Sequence, residues 1–205
     1  MGSREGEERE FLIPREKYLS TGIHIGSRVK TGDMTRFVYK CRPDGLWILD
    51  LEKIDERIRV AAKFLARFDP EKVVVVSSKR YGRKPVEMFC EVTGAIPIAG
   101  RFVPGTFTNP LYPGHIDADV VVVVDPRDDA QAVSEATKIG IPVVALCSTD
   151  NSLTDIDLVI PANNKGRRAL AAVFWLLARQ VLRERGDIPP DGDIEYGIED
   201  FEARP

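Results

Sequence analysis

Runs of consecutive β-branched residues constrain the fold of this chain more than any other feature. Residues 72–77 read Lys-Val-Val-Val-Val-Ser, and residues 118–124 read Ala-Asp followed by five valines. A strand-length run without polar alternation predicts a strand buried on both faces, as in parallel sheets. Shorter apolar runs at 95–99, 141–147 and 158–160 predict further strands. No run approaches the length of about 18 residues that a membrane-spanning helix needs.

Segments with helical periodicity follow most of these strands. They lie at residues 51–68, 84–94, 128–139 and 165–186, and a short strand is predicted before the first of them at 46–50. Strands that alternate with helices form right-handed βαβ units around a mostly parallel sheet. The predicted fold class is therefore α/β. Because that class serves many functions, function has to be argued from particular side chains.

Composition divides the chain into an arm, one domain and a tail. Residues 1–17 are charged and aperiodic, which predicts a flexible N-terminal arm, and residues 18–186 form the single α/β domain, with an irregular stretch at 18–31. Residues 187–202 contain seven acidic residues and no Lys or Arg, so a disordered acidic tail is predicted over 187–205. The formal net charge is −3, and removing those seven negative charges leaves +4 on the rest of the chain.

The cysteines and histidines narrow the possible chemistry. Cys41, Cys90 and Cys147 are odd in number and far apart, which argues against a disulfide framework and fits a reducing cytoplasm. With no paired cysteine spacing and only two histidines, a structural zinc site is not expected. His24 is interpreted as a residue packed within a compact loop, and His115 as an exposed loop residue.

No nucleotide-binding motif follows the predicted strands, because both a GxGxxG sequence and a P-loop are absent. The nearest approach is the turn at 77–84, Ser-Ser-Lys-Arg-Tyr-Gly-Arg-Lys, where a helix N-terminus and cations could hold a phosphate. An enzyme with a phosphate or nucleotide ligand at this turn is therefore an alternative. Asp125 is interpreted as a turn former, Asp128 or Asp129 as the cap of the next helix, and Glu135 as a solvated helix residue.

Three clusters of positive charge indicate a polyanionic partner. The first cluster contains Arg28, Lys30, Arg36, Lys40 and Arg42, with Phe37 and Tyr39 between them. The second cluster contains Lys79, Arg80, Arg83 and Lys84, and the third contains Lys165, Arg167 and Arg168. The third lies at the start of the last predicted helix, where cations oppose the helix dipole. An external phosphate would offset that cost.

Loops that follow successive parallel strands reach one rim of the sheet, so the three clusters are expected to join into one RNA-binding surface. Arg and Lys would bind the phosphate backbone, and Tyr or Phe would stack on unpaired bases. Two other interpretations stay open. Each cluster is alternatively a solvated surface, and the chain is alternatively a protein-interaction module whose acidic tail docks a basic partner.

The loop at residues 100–110 interrupts the alternation of strands and helices. It reads Gly-Arg-Phe-Val-Pro-Gly-Thr-Phe-Thr-Asn-Pro and carries no side chain suited to acid–base or thiol chemistry. A long loop without catalytic groups is typical of a contact surface. Arg101, Thr106 and Thr108 are therefore predicted to meet RNA or a neighbouring protein.

Four ordered segments resemble those of one family, the ribosomal protein S2 (uS2) family. Residues 18–26, Tyr-Leu-Ser-Thr-Gly-Ile-His-Ile-Gly, resemble its N-terminal signature, and residues 46–53, Leu-Trp-Ile-Leu-Asp-Leu-Glu-Lys, its first strand–helix junction. Residues 100–109 resemble the loop of its archaeal and eukaryotic branch, and residues 119–142 its second signature. The likeness covers about 18–186 and favours the archaeal form, which is related to the eukaryotic ribosomal protein SA, the laminin-receptor precursor.

This resemblance implies a flavodoxin-like (Rossmann-like) three-layer domain that belongs to the small ribosomal subunit in the cytoplasm. It implies binding to 16S rRNA and to other ribosomal proteins, with no enzymatic activity, cofactor, metal, small-molecule substrate or membrane partner. Two departures matter. The coiled-coil insertion of bacterial S2 is absent, and the long C-terminal extension of the eukaryotic protein is reduced to a short acidic tail, which gives no support to a receptor role.

Overall fold

The computed structural model describes residues 11–204, and these form seven strands and five α-helices. The strands are β1 (Val38–Cys41), β2 (Trp47–Leu49), β3 (Val73–Ser77), β4 (Ile96–Ala99), β5 (Val120–Val123), β6 (Val143–Cys147) and β7 (Leu158–Pro161). The helices are α1 (Arg15–Thr21), α2 (Leu51–Leu65), α3 (Arg80–Thr93), α4 (Ala130–Ile139) and α5 (Arg167–Arg185). No helix within 11–204 is long and apolar enough to cross a membrane.

Five parallel strands form the central sheet in the order β4-β3-β5-β6-β7. If the five strands are numbered 1 to 5 in the order in which they occur along the chain, their order in the sheet is 2-1-3-4-5. This is the strand order of flavodoxin-like sheets. The two valine runs are neighbours in it, and Val73 pairs with Val120 while Val76 pairs with Val123. Both strands are buried along their whole length, as continuous β-branched runs predict. The predicted α/β class and flavodoxin-like topology are therefore confirmed.

Helices cover both faces of this sheet and complete three layers. On one face α5 lies between α2 and α3 and packs on both, while on the other face α4 packs against β5 and β6. Each buried valine or leucine side chain stabilises a fold by about 1.5–3 kcal/mol relative to an exposed one. The apolar contacts between the helices and the two faces of the sheet therefore contribute much of the stability of this domain.

Two predicted elements differ from the observed ones. The strand predicted at 46–50 is β2, which pairs antiparallel with β1 in a separate hairpin and does not join the parallel sheet. Helix α3 begins at Arg80, before the predicted start at 84, and encloses Pro85. Proline is best tolerated in the first helical turn; here one more turn precedes it, and that turn packs closely on β3, because Gly82 is buried and Ser77 leaves no room for a Cβ there.

The prediction of a flexible arm is wrong for residues 11–17. Ile13 is buried, and the Leu12 amide donates a hydrogen bond to Asp55 Oδ1 at 2.8 Å. Helix α1 starts within the predicted arm at Arg15, and its Tyr18 hydroxyl donates to the same carboxylate oxygen at 2.6 Å. Burial, followed by the hydrogen bond to Asp55, raises the pKa of Tyr18. Residues 1–10 of that arm, like Pro205, lie outside the described residues.

The prediction of a disordered acidic tail is also wrong, because residues 187–204 lie along α5. Trp175 Nε1 donates to the Tyr196 carbonyl at 2.7 Å, and Arg179 Nη1 lies 2.8 Å from Asp193 Oδ1. Phe201 ends a short 3-10 helix and is fully buried. The composition of the tail did not indicate this packing, because its few apolar residues are interspersed among acidic ones. The tail helps to bury α5 on nearly every side from residue 169 to residue 182.

Candidate nucleic-acid interface

The carboxyl ends of β3 and β5 mark the topological switch point, which is where doubly wound sheets bind ligands. In this chain the switch point is occupied by side chains of the protein itself. Lys79 follows β3 and forms an ion pair with Asp125, which follows β5. The Lys79 ammonium also lies 3.8 Å from Asp128, and its side chain is only 17% exposed. Lys79 therefore joins the two strand ends to each other.

Asp125 is held by further donors at the same point. Its Oδ1 accepts hydrogen bonds from the Arg127 amide at 2.9 Å and from Asn151 Nδ2 at 2.8 Å. The bond to Arg127 confirms the interpretation of Asp125 as a turn former. Because Lys79 already faces two carboxylates, its ammonium is not available to a ligand phosphate. The turn at 77–84 thus lacks the central cation that the phosphate-enzyme alternative requires.

Asp129 connects the same two strand ends through backbone amides. Its carboxylate accepts from the Ser78 amide at 2.8 Å and from the Asp125 amide at 3.1 Å. Helix α4 begins after Asp129, as predicted, but no side-chain bond caps its first turn. Burial raises the pKa of Asp129, although these hydrogen bonds act in the opposite direction.

The other cations of the second cluster are exposed at the start of α3. Arg80, Arg83 and Lys84 have no acidic side chain within 4.0 Å in the part of the chain that the structure describes. A Cβ atom placed on Gly100 would lie 3.8 Å from Arg83 Cζ, so the Arg83 guanidinium lies beside the start of the 100–110 loop. Arg101 follows and is exposed. Arg80, Arg83, Lys84 and Arg101 therefore form one cationic patch, the free patch, without an ion pair among residues 11–204, although Glu87 and Glu91 line the same groove.

The cations of the third cluster are paired with two acidic side chains. Lys165 Nζ lies 2.6 Å from Asp150 Oδ2, Arg167 Nε lies 2.7 Å from Glu202 Oε1, and Arg168 Nε lies 3.7 Å from the same oxygen. Burial alone would raise the pKa of Asp150, but the hydrogen bond and charge of Lys165 hold it below its ordinary value. Glu202 of the acidic tail thus pairs with Arg167 and Arg168, and Asp150 pairs with Lys165, the cations that were predicted to attract an external phosphate.

The first cluster divides between a loop and the hairpin. The loop that carries Arg28 and Lys30 packs over the carboxyl end of β6, where the Thr31 amide donates to the Thr149 carbonyl at 2.9 Å. Lys30 Nζ lies 4.6 Å from the centroid of the Trp47 ring. The remaining cations of this cluster are exposed on or beside β1: Arg36, Lys40 and Arg42.

The structure brings most predicted site residues to the carboxyl edge of the sheet. Lys79 Nζ lies 3.4 Å from the Asn164 carbonyl, so the second cluster touches the chain next to the third. Arg28 and Lys30 reach the same edge through the loop over β6. By contrast, Lys40 and Arg42 lie on or next to β1 in the separate two-stranded sheet, and Arg36 lies in the 3-10 helix that precedes β1. The expected rim therefore exists, but with several of its charges already paired.

Glu135 has a role that the sequence reasoning missed. Its carboxylate is 3% exposed and accepts from the Gly105 amide at 2.7 Å, the Phe107 amide at 3.2 Å and Gln131 Nε2 at 2.8 Å. The interpretation as a solvated residue is wrong, and a signal existed, because position 135 shares a helix face with Ala132. Burial alone would raise the pKa of Glu135, but these hydrogen bonds hold it below its ordinary value.

The remaining reactive side chains are mostly enclosed. His24 is half-buried, which lowers its pKa, and His115 is half-buried rather than exposed. The three cysteines are free thiols, with Cys41 exposed and the other two buried. Burial raises the pKa of both Cys90 and Cys147 and keeps them as unreactive thiols.

Fold and site together define a class of protein: a flavodoxin-like domain whose switch point is closed by its own ion pair and whose free cations lie outside it. Comparison with known proteins identifies the family. The family model described as ribosomal protein S2 matches residues 18–111 and 115–183. This chain belongs to the ribosomal protein S2 family, as the four sequence segments indicated.

Similar proteins include archaeal proteins of similar length. The small ribosomal subunit protein uS2 of Korarchaeum cryptofilum is 58% identical over 198 residues, which cover 97% of this chain and 91% of that protein. The uS2 of Thermofilum pendens is 56% identical over 96% of this chain and 92% of the relative. For Ignicoccus hospitalis the identity is 56% over 208 residues, 100% of this chain and 98% of the relative.

Proposed function

We propose that this protein is a structural component of the archaeal small ribosomal subunit in the cytoplasm, where it binds 16S rRNA and neighbouring ribosomal proteins without catalysing a reaction. Family membership and the names of the archaeal relatives support the ribosomal role. The observation that carries the RNA-binding part is the free cationic patch of Arg80, Arg83, Lys84 and Arg101. No carboxylate among residues 11–204 forms an ion pair with these side chains, so they can contact phosphates.

The proposed contacts follow the pairing seen in the structure. The free patch binds RNA together with the exposed cations of the first cluster, Arg28, Arg36, Lys40 and Arg42, and with the half-buried Lys30 beside Trp47. Lys165, Arg167 and Arg168 take part only where RNA displaces Asp150 or Glu202. Lys79 holds the strand ends in place and does not contact RNA.

The 100–110 loop and the residue after it are proposed to contact a neighbouring ribosomal protein. Glu135 anchors the loop from inside, while Val103 is 42% exposed and Leu111 is 91% exposed. Large apolar side chains held at a rigid, exposed position suit a protein contact. Replacing Leu111 with Glu is expected to reduce incorporation into small subunits while leaving binding to isolated 16S rRNA unchanged. Equal incorporation of variant and parent would reject this contact.

Charge reversal at the free patch tests the RNA-binding proposal. The double variant Arg80→Glu/Arg83→Glu is compared with Arg67→Glu/Lys138→Glu, which carries the same change in net charge. Arg67 and Lys138 are exposed at the ends of α2 and α4, at the amino edge of the sheet. Binding to a 16S rRNA transcript is measured by filter retention at several salt concentrations, and incorporation is measured by sucrose-gradient sedimentation.

The patch variant is expected to lose at least tenfold in affinity, and its salt dependence is expected to fall by roughly one ion per lost phosphate contact. The amino-edge variant is expected to bind and sediment like the parent. If both variants weaken binding equally, the effect is one of net charge and the patch is not the site. A parent protein that binds no 16S rRNA would overturn the RNA-binding proposal itself.

A further inference from the structure

An open groove of about 860 Å³ lies between helix α1 and the β1–β2 hairpin. Leu19 of α1 and Tyr39 of β1 both line it. Leu19 is 51% exposed and Tyr39 is 67% exposed, and neither side chain belongs to the hydrophobic core. The groove therefore presents an aromatic ring and an apolar side chain to solvent at one place.

A β-bulge explains why Tyr39 and Lys40 line the same groove. The hairpin pairs Val38 with Leu49 and Lys40 with Ile48, so β1 contains one extra residue, Tyr39. Adjacent side chains of a regular strand point to opposite faces. A bulge re-aims one of them, and bulges are frequent beside functional sites. As a result, Lys40 Nζ lies 5.5 Å from the centroid of the Tyr39 ring.

Positive charge surrounds this ring. Three cations line the groove: Arg15, Lys40 and Arg42. Arg42 lies 3.1 Å from Asp44, but both side chains are about half exposed, and such surface pairs are readily exchanged for another anion. The other two cations have no acidic partner within 4.0 Å among residues 11–204. Of the two acids in the groove, Asp50 caps α2 by accepting from the Glu52 amide at 3.0 Å.

We infer that this groove binds an unpaired segment of RNA, with a base stacked on Tyr39 and the flanking phosphates on Lys40 and Arg42. The inference rests on the proposed function and deepens it, because it names the form of RNA that the hairpin takes. An exposed aromatic ring among cations is the arrangement that binds single strands, since every base has a face to stack. Phe37, the other aromatic in the first cluster, is buried and offers no such face.

The test compares single-stranded with double-stranded RNA. A fluorescein-labelled ten-nucleotide oligoadenylate and a duplex of equal length are titrated with the full chain at low salt, and ultraviolet cross-links to the single strand are mapped by mass spectrometry. The variants are Tyr39→Ala, Tyr39→Phe and Lys40→Ala. Ile139→Ala, at an exposed apolar position at the end of α4, is the matched control. Each protein also binds a 16S rRNA transcript in a parallel titration.

Tyr39→Ala is expected to weaken oligoadenylate binding about tenfold and to abolish the cross-link at this position, while duplex binding stays unchanged. Tyr39→Phe keeps the ring and is expected to bind like the parent, as is Ile139→Ala. Lys40→Ala is expected to lower the salt dependence by about one ion. An alanine variant that binds oligoadenylate as tightly as the parent would overturn the inference, and so would equal losses in the alanine and phenylalanine variants.

The two proposals fail in different ways. If the transcript binds to the parent but oligoadenylate binding does not depend on Tyr39, the groove inference fails and the RNA-binding function stands. If the parent does not bind the transcript, the proposed function fails whatever the groove does. A decaglutamate peptide serves as a competing probe. Tyr39-dependent binding of this peptide, without any binding of oligoadenylate, would make the groove a protein contact and overturn the inference.

Discussion

Removing the Glu135 carboxylate should release the 100–110 loop from α4. In Glu135→Ala the amides of Gly105 and Phe107 lose their acceptor, as do the Thr108 hydroxyl and the Gln131 side chain. A buried donor left without a partner costs about 1–3 kcal/mol. The two amides together would cost about 2–6 kcal/mol, and partial access of water to a loosened loop reduces this. The expected loss in unfolding free energy is therefore about 2–4 kcal/mol.

Two measurements separate local from global effects of Glu135→Ala. Urea denaturation gives the unfolding free energy, and hydrogen exchange at Gly105 and Phe107 reports on the loop itself. Glu56→Ala removes an exposed helix carboxylate and should change stability by no more than about 0.5 kcal/mol. The reasoning is refuted if Glu135→Ala stays within that same limit and both amides exchange at the parental rate.

The pH dependence gives an independent check on Glu135. Its pKa in the folded protein lies below its ordinary value, so its stabilising contribution is complete above the unfolded pKa of about 4.3 and is lost as the pH falls through the folded pKa. The difference in unfolding free energy between parent and Glu135→Ala should therefore be constant from about pH 6 to 8 and shrink below about pH 4. A difference that is unchanged down to pH 2 would contradict the assigned hydrogen bonds.

Three further substitutions test the ion pair at the switch point, the pairing of the tail with α5, and the close contact between Gly26 and the backbone of β2. Lys79→Met leaves the buried Asp125 without its counter-charge and should lower the unfolding free energy by about 3 kcal/mol in urea titrations, with partial recovery on adding Asp125→Asn. Glu202→Gln removes the acidic partner of Arg167 in the first turn of α5. In filter binding to 16S rRNA, the affinity of this variant should depend more steeply on salt, by about one ion. A slope equal to that of the parent would argue against masking of Arg167 by the tail. Gly26→Ala places a Cβ 2.8 Å from a backbone oxygen and should cost more than about 2 kcal/mol by thermal unfolding, whereas Gly32→Ala, with open space around it, should cost less than half as much.

Much of the fold could be predicted because its determinants are local. Each strand of the parallel sheet coincides with a continuous apolar run, and the glycines that end α3 and α4, Gly94 and Gly140, have the left-handed conformation typical of a helix end. The antiparallel pairing of β2 with β1 was not predicted, because a three-residue strand carries no signal about its partner. The tail was missed for a similar reason, since the short helix that ends at Phe201 packs on α5 and also on α3, which lies far from it along the chain.

The candidate site was predictable in its composition but not in its pairing. The cations were evident from the sequence, as was their arrival at one edge of the sheet. Which of them are free depends on contacts between distant residues: Lys79 meets Asp125, and Arg167 meets Glu202. No periodicity or spacing encodes such pairs. The role of Glu135 was hidden for the same reason, because its partners lie in a loop about 30 residues earlier.

The four Val–Val pairs between β3 and β5 leave the alignment of these strands undetermined by side-chain shape. A shift of one strand by two residues would keep every side chain on its own face and would still place valine against valine at the positions that remain paired. Information about alignment must therefore come from the strand ends. There Asp129 accepts a hydrogen bond from the Ser78 amide at 2.8 Å, and Lys79 forms an ion pair with Asp125. These flanking polar groups therefore set the register of β3 and β5, which their repeated valines leave open.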